Sequence, residues 1–143
     1  MAVTAKIYPL GIMRAYAGDM GAVDTDVIKC ALLTSSYTPS QLTHQAWTTS
    51  CSAYEVTGTG YTAGGATLTD VTIGLKTATT TFQFWASECS WTNSTITARY
   101  AVIYSVTTGY LISYVDFGED KSSAEGLFKI DFDDTDGIFE ITT

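Results

Sequence analysis

The residues best suited to chemistry lie close to the C-terminus, in Asp131-Phe132-Asp133-Asp134-Thr135-Asp136-Gly137. Asp131, Asp133, Asp134 and Asp136 are calcium-ligand candidates, because calcium collects several carboxylate oxygens from one loop. The phase departs from an EF-hand: with Gly137 as the turn glycine, the first ligand position falls on Phe132, and no glutamate closes the loop. An acidic turn between two strands accounts for the same residues equally well. The one histidine, His44, has no second His with which to share a metal, so an ordinary surface or half-buried role is expected. Cys30, Cys51 and Cys89 are spaced too widely for a zinc pattern, and three cysteines do not make a full disulfide framework. Buried free thiols are the expected state, with a single bridge such as Cys51 to Cys89 left open.

Other motifs fail on inspection. GTGYTAG, beginning at Gly58, comes near a dinucleotide fingerprint, but strand-like flanks replace the strand-turn-helix setting that the fingerprint needs. Its glycines better suit close backbone packing, a bulge or a corner. No G-x-S-x-G, Walker loop or HExxH occurs, and a triad would have to recruit His44 without local support. Asn93-Ser94-Thr95 has the form of a glycosylation acceptor, which carries no meaning without a secretory leader. The reading is a non-enzyme with no cofactor.

The elements that would position these groups are strands. Residues 94–120 read as two strands joined at 106–109, with Gly109 supplying a turn residue that adopts positive φ freely. Period-two alternation puts Ile96, Ala98, Tyr100, Val102 and Tyr104 on one face of the first. In the second, Tyr110, Ile112 and Tyr114 share a face, and Leu111, Val115 and Phe117 lie on the other. Arg99, the one charge inside the first strand, suits a salt link to Asp116.

Around this pair the pattern predicts a strand in 2–8, a short helix or turn in 10–17 after Pro9, and a strand over 27–33. Thr38 as N-cap, Pro39 at the first helical position and Gln41 in a capping box predict a two-turn helix ending near Trp47. Strands are expected over 66–73 and 82–86, with a polar turn over 76–80. Residues 119–125 read as an acidic loop before a separate strand through Phe128, Ile130 and Phe132. A turn at 134–137 and a last strand over 138–142 complete an all-β, single-domain antiparallel β-sandwich or barrel of seven to eight strands with one or two short helices. Residues 1–143 form that one domain, with 1–23 a candidate N-terminal arm.

Composition bounds the partners. An apolar share of 45% excludes intrinsic disorder, and 143 residues can bury a core without a metal or disulfide. The net charge of −8 is uneven: residues 116–143 hold nine acids against two bases. Such a chain repels phosphate backbones, so nucleic acid is not expected as a partner, and no apolar run reaches membrane-spanning length. The N-terminal stretch lacks the apolar core of a secretory signal, so maturation where the chain is made is expected.

Four blocks, DTDVIKCALLTSSYTPSQLTH, EVTGTGYTAGGATLT, WTNSTITARYAVIY and LISYVDFGED, resemble small virion structural proteins of tailed bacteriophages, in the same order along the chain. The resemblance implies a capsid decoration, or cement, protein on the outside of the head. It would be made in the cytoplasm of the bacterial host and would bind the major capsid protein and copies of itself, often as a trimer. Such proteins are commonly β-rich, and no catalytic residues carry over. The segment 9–23 looks longer than the resemblance implies, and the turn 105–109 shorter. The interface candidates are the aromatic residues Tyr8, Tyr16, Trp47, Tyr54 and Tyr61, with the glycine-rich segment 56–66. The alternative is a tail component or receptor-binding module whose tryptophans meet a glycan.

Overall fold

The computed structural model describes residues 3–133 and 136–142. It is a two-sheet, all-β domain. In chain order the elements are β1 (Thr4–Ile7), α1 (Pro9–Tyr16), β2 (Ile28–Leu33), α2 (Trp47–Ser50), a 3₁₀ turn (Ser52–Tyr54), β3 (Ala66–Thr67), β4 (Thr72–Leu75), β5 (Phe82–Trp85), β6 (Cys89–Ser105), β7 (Leu111–Ile130) and β8 (Phe139–Ile141). The larger sheet runs β1-β7-β6-β2-β3 and the smaller β4-β5-β8, every pair antiparallel. Neither sheet closes on itself, so the barrel alternative is set aside and the sandwich stands.

The spine is the β6–β7 ribbon. Its half nearest the Gly109 turn is flanked by β1 and β2, and both faces are buried. One face packs Ile28, Cys30, Leu32, Ala101 and Ile103 against Phe84 and Ile138 of the smaller-sheet side, forming the inter-sheet core. The opposite face carries a second core of Tyr8, Leu33, Tyr37, Tyr100, Val102, Tyr104, Leu111 and Tyr114. A strand buried on both sides loses the polar alternation of a half-exposed one, which is why 100–105 reads YAVIYS.

Of four register shifts between β6 and β7, two decide which face the core residues take. Ala98 pairs Lys121 but Tyr100 pairs Asp116, so residues 117–120 lie opposite Arg99 alone. Extra residues in one strand change which face the following side chains take. Ile96 and Ala98 therefore sit in the inter-sheet core, whereas Tyr100, Val102 and Tyr104 sit in the second. Arg99 Nε donates to Asp116 Oδ1 at 2.9 Å across the bulge, and the Gly118 amide donates to the same oxygen at 2.8 Å. The expected salt link is present and holds the irregularity shut. A second shift falls between Ile103/Ser113 and Tyr104/Leu111. It turns Ile112 into the inter-sheet core with Val115 and Phe117, and leaves Leu111 with Tyr114.

Three predicted elements are corrected. Residues 119–125 are not a loop, and Phe128 and Ile130 do not begin a new strand, because β7 runs unbroken to Ile130. Among the described strands β6 alone pairs with this far half, whose residues 119–127 are mostly exposed while Phe128 and Ile130 turn into the core, and hydroxyls pair across the ribbon: Thr97 with Ser122 at 2.8 Å and Ser94 with Ser123 at 2.7 Å. Polar composition there marks an exposed ribbon. The helix expected over 38–47 is replaced by a turn. Gln41 donates to the Ile7 carbonyl at 2.7 Å instead of capping, and the helical turn starts at Trp47, where the predicted one was to end. The strand expected over 66–73 is broken into β3 and β4, with Asp70 at φ +55° between them.

The N-terminal segment is integrated into the domain and is no free arm. β1 pairs with β7, and Tyr8 has no exposed surface.

Candidate functional site

Two regions hold side chains arranged for more than packing. The first is a buried polar cluster under the loop 34–55. His44 Nδ1 accepts the Ser40 amide at 3.3 Å, so it is the unprotonated ring nitrogen, and it accepts the Tyr37 hydroxyl at 2.8 Å. The Tyr37 oxygen then accepts the Tyr8 hydroxyl at 2.6 Å and the Cys51 thiol at 3.4 Å. Every polar atom in the chain of contacts has a partner, as buried groups require. Burial lowers the His44 pKa and holds the ring neutral. It raises the Tyr8 and Tyr37 hydroxyls well above the phenol range and the Cys51 thiol to about 11. A thiol so protonated is a poor nucleophile. The cluster fastens the loop onto the sheet.

The other cysteines are buried in the inter-sheet core and unbridged, as expected for free thiols. Contact with Cys89, together with burial, pushes the Cys30 thiol up.

The acidic loop is held by lysines. Lys76 Nζ bonds Asp136 at 2.6 Å and Glu140 at 2.8 Å, Lys129 approaches Asp131 at 3.5 Å, and Asp133 accepts the Asp136 amide at 2.8 Å. Among the described residues no three metal-ligating side chains converge. Asp134 lies outside the described residues.

The second region is an open apolar cleft of about 390 Å³ between α1 and the smaller sheet. Pro9 at the helix start sets φ for the first turn. Gly11 then lets the helix lie directly on β7, because a Cβ there would stand 1.8 Å from the Leu111 carbonyl oxygen. Ile12, Ala15 and Tyr16 form one wall. Ile73, Phe82, Phe139 and Ile141 form the other, and Met20, Phe84 and Ile112 lie at the floor. Phe84 and Phe139 stack at 5.3 Å. Among the described residues, the hydroxyls of Tyr16 and Thr80 are the only polar side-chain groups on the lining. With no charge to fix a polar ligand, the cleft suits an apolar group.

The interface candidates divide by burial. Tyr16 stands at the cleft mouth with 90% of its surface exposed. Tyr54 is exposed beside Tyr37. Trp47 is half-buried and stacked on Tyr104 at 4.6 Å. Tyr61 donates to Glu55 at 2.7 Å and accepts the Leu32 amide at 3.1 Å, a packing role. Tyr8 is fully interior and offers a partner nothing. In the glycine-rich segment, Gly65 abuts β2, where an added Cβ would lie 2.1 Å from the Cys30 carbonyl oxygen. Sequence reasoning missed Ile73, Phe82, Phe139 and Ile141 as a surface. They come from three strands, and no local pattern announces their meeting.

No protein-family model matches the chain, and neither does any curated protein or solved structure.

Proposed function

We propose that this chain is a non-enzymatic structural protein of a tailed-phage virion, a head decoration protein that binds the outside of the capsid lattice and stabilises it. The observation that carries the reading is the contrast between a closed interior and one open apolar cleft with Tyr16 at its mouth. Exposed apolar surface of this kind marks contact sites. The buried cluster of Tyr8, Tyr37, His44 and Cys51 supports a passive role, since its groups are neutral and bonded to one another. The resemblance of four sequence blocks to phage virion proteins suggests the partner, the major capsid protein. The cleft supplies the mode of contact.

The alternative, a tail or receptor-binding module, would use tryptophans as a sugar platform. Trp91 is buried and Trp47 is stacked on Tyr104, so two of the three are committed to packing. Imaging of virions carrying a labelled copy tests the proposal. Label on the head lattice is the expected result. Label confined to the tail, with glycan binding by the purified protein, would overturn it.

A further inference from the structure

The two sheets end in four outermost strands, and three of them are blunted. β1 carries Lys6, β3 is two residues long, and β8 has Glu140 at its centre. Charges and short edges are the usual protection against unwanted strand pairing. β4 has none of it. Its sequence is Thr-Ile-Gly-Leu, and all four residues are exposed.

The direction of its free backbone groups follows from two hydrogen bonds. Lys76 N–H donates to the Thr81 carbonyl at 2.9 Å, and the Phe84 carbonyl accepts Ile138 N–H at 2.8 Å, toward β8. Successive residues of a strand aim their backbone groups at opposite edges. Thr72 and Gly74 therefore bond to β5, and Ile73 and Leu75 aim N–H and C=O outward.

We propose that β4 pairs antiparallel with β4 of a second copy of this chain, about a two-fold axis through Ile73. In that register Ile73 faces its own copy, Val71 faces Leu75, and all of these residues meet through their outward-facing amides. The apolar row 71, 73, 75 packs on itself reversed. The pairing ends before left-handed Asp70, which accepts the Ser87 hydroxyl at 2.7 Å, and before Lys76, which holds Asp136 and Glu140. The result is one six-stranded sheet, β8-β5-β4-β4-β5-β8. A pairing this short buries less than the roughly 1,200 Å² of a stable interface, so association in the micromolar range is expected. The two-fold order differs from the three-fold assembly that the phage resemblance implies. It stands or falls independently of where the protein sits on a virion.

Sedimentation velocity across the micromolar range, together with cysteine cross-linking, tests this. Ile73→Cys should oxidise to a covalent dimer, because directly opposed residues lie about 5.5 Å apart between Cα atoms, within disulfide reach. Thr72→Cys, opposite Gly74 of the other copy, should cross-link at least ten-fold less. The native cysteines are buried and should not interfere. Leu75→Pro removes an outward amide without breaking a bond to β5 and should leave a folded monomer by circular dichroism. Should that variant misfold, the paired cysteine variants still decide the question. A monomer at every concentration, a trimer, or equal cross-linking at 72 and 73 would overturn the proposal.

Discussion

The two flanks of the domain are built from similar residues to opposite effect. Over the second core, the loop 34–55 closes the large sheet with rings whose hydroxyls, ring nitrogen and thiol satisfy one another. Across the inter-sheet core, α1 and the smaller sheet carry rings as well, yet they stand apart and leave a cleft of about 390 Å³. The first arrangement spends its aromatic surface on stability, and the second holds some in reserve. Aromatic content alone therefore does not mark an interface. What marks it is whether the ring has a partner inside the same chain: Tyr8 has Tyr37, whereas Tyr16 stands exposed.

This contrast can be broken most violently at Gly11. Gly11→Ala drives a methyl into the Leu111 carbonyl and must lift α1 from β7. The expected loss is about 3 kcal/mol, at the upper end of overpacking costs, read as a lowered denaturation midpoint. Binding to empty heads should fall with it, because the cleft loses one wall.

On the closed flank, Tyr37→Phe removes the hydroxyl on which Tyr8, His44 and Cys51 converge. It leaves the buried Tyr8 hydroxyl without its partner, at a cost of about 1–3 kcal/mol. Urea titration should show the shift, and head binding should be unchanged once the protein is folded.

Acid should discriminate between the flanks more gently. His44 has its folded pKa lowered by burial, so its contribution is present above about pH 6.5 and is lost as pH falls through the folded value. Two carboxylates act further down. Arg99 beside Asp116, joined by the Gly118 amide, outweighs partial burial and lowers that carboxyl. At Asp26 burial acts upward, but bonds from Ser105, Thr107 and the Val27 amide prevail and lower it. Both contribute stability above pH 3.8, their ordinary value, and lose it as pH falls through the folded values. Denaturation midpoints measured from neutral pH downward should therefore fall in two stages. His44→Gln should flatten the first stage.

The smallest effect on stability is expected at Tyr16. Tyr16→Ala alters an exposed side chain and should shift stability by less than about 0.5 kcal/mol. Its effect on head occupancy should nevertheless exceed that of Tyr54→Ala on the other flank.

Most of the architecture was legible because alternation and turn chemistry are local. β2, β5, the Gly109 turn and α1 after Pro9 follow from their own residues. The far half of β7 was not, since Glu119 and Asp120 look like a loop until hydroxyl pairing across a two-stranded ribbon is seen. The face assignments failed at Arg99 and Ile112 because a bulge adds residues without any fixed sequence mark. Of the open flank, Tyr16 alone is an interface candidate by sequence. Ile73 lay hidden in a strand read as continuous from Ala66, which the left-handed Asp70 interrupts. Its other walls meet only through tertiary contact.

Hydroxyl-radical footprinting of the chain bound to empty heads is the most direct test of the open flank as the contact surface. Protection of Tyr16 and Ile141, with Leu42 and Tyr54, both exposed on the loop 34–55, as reactive as in free protein, is the predicted result. Protection of Leu42 and Tyr54 with Tyr16 unchanged would contradict it.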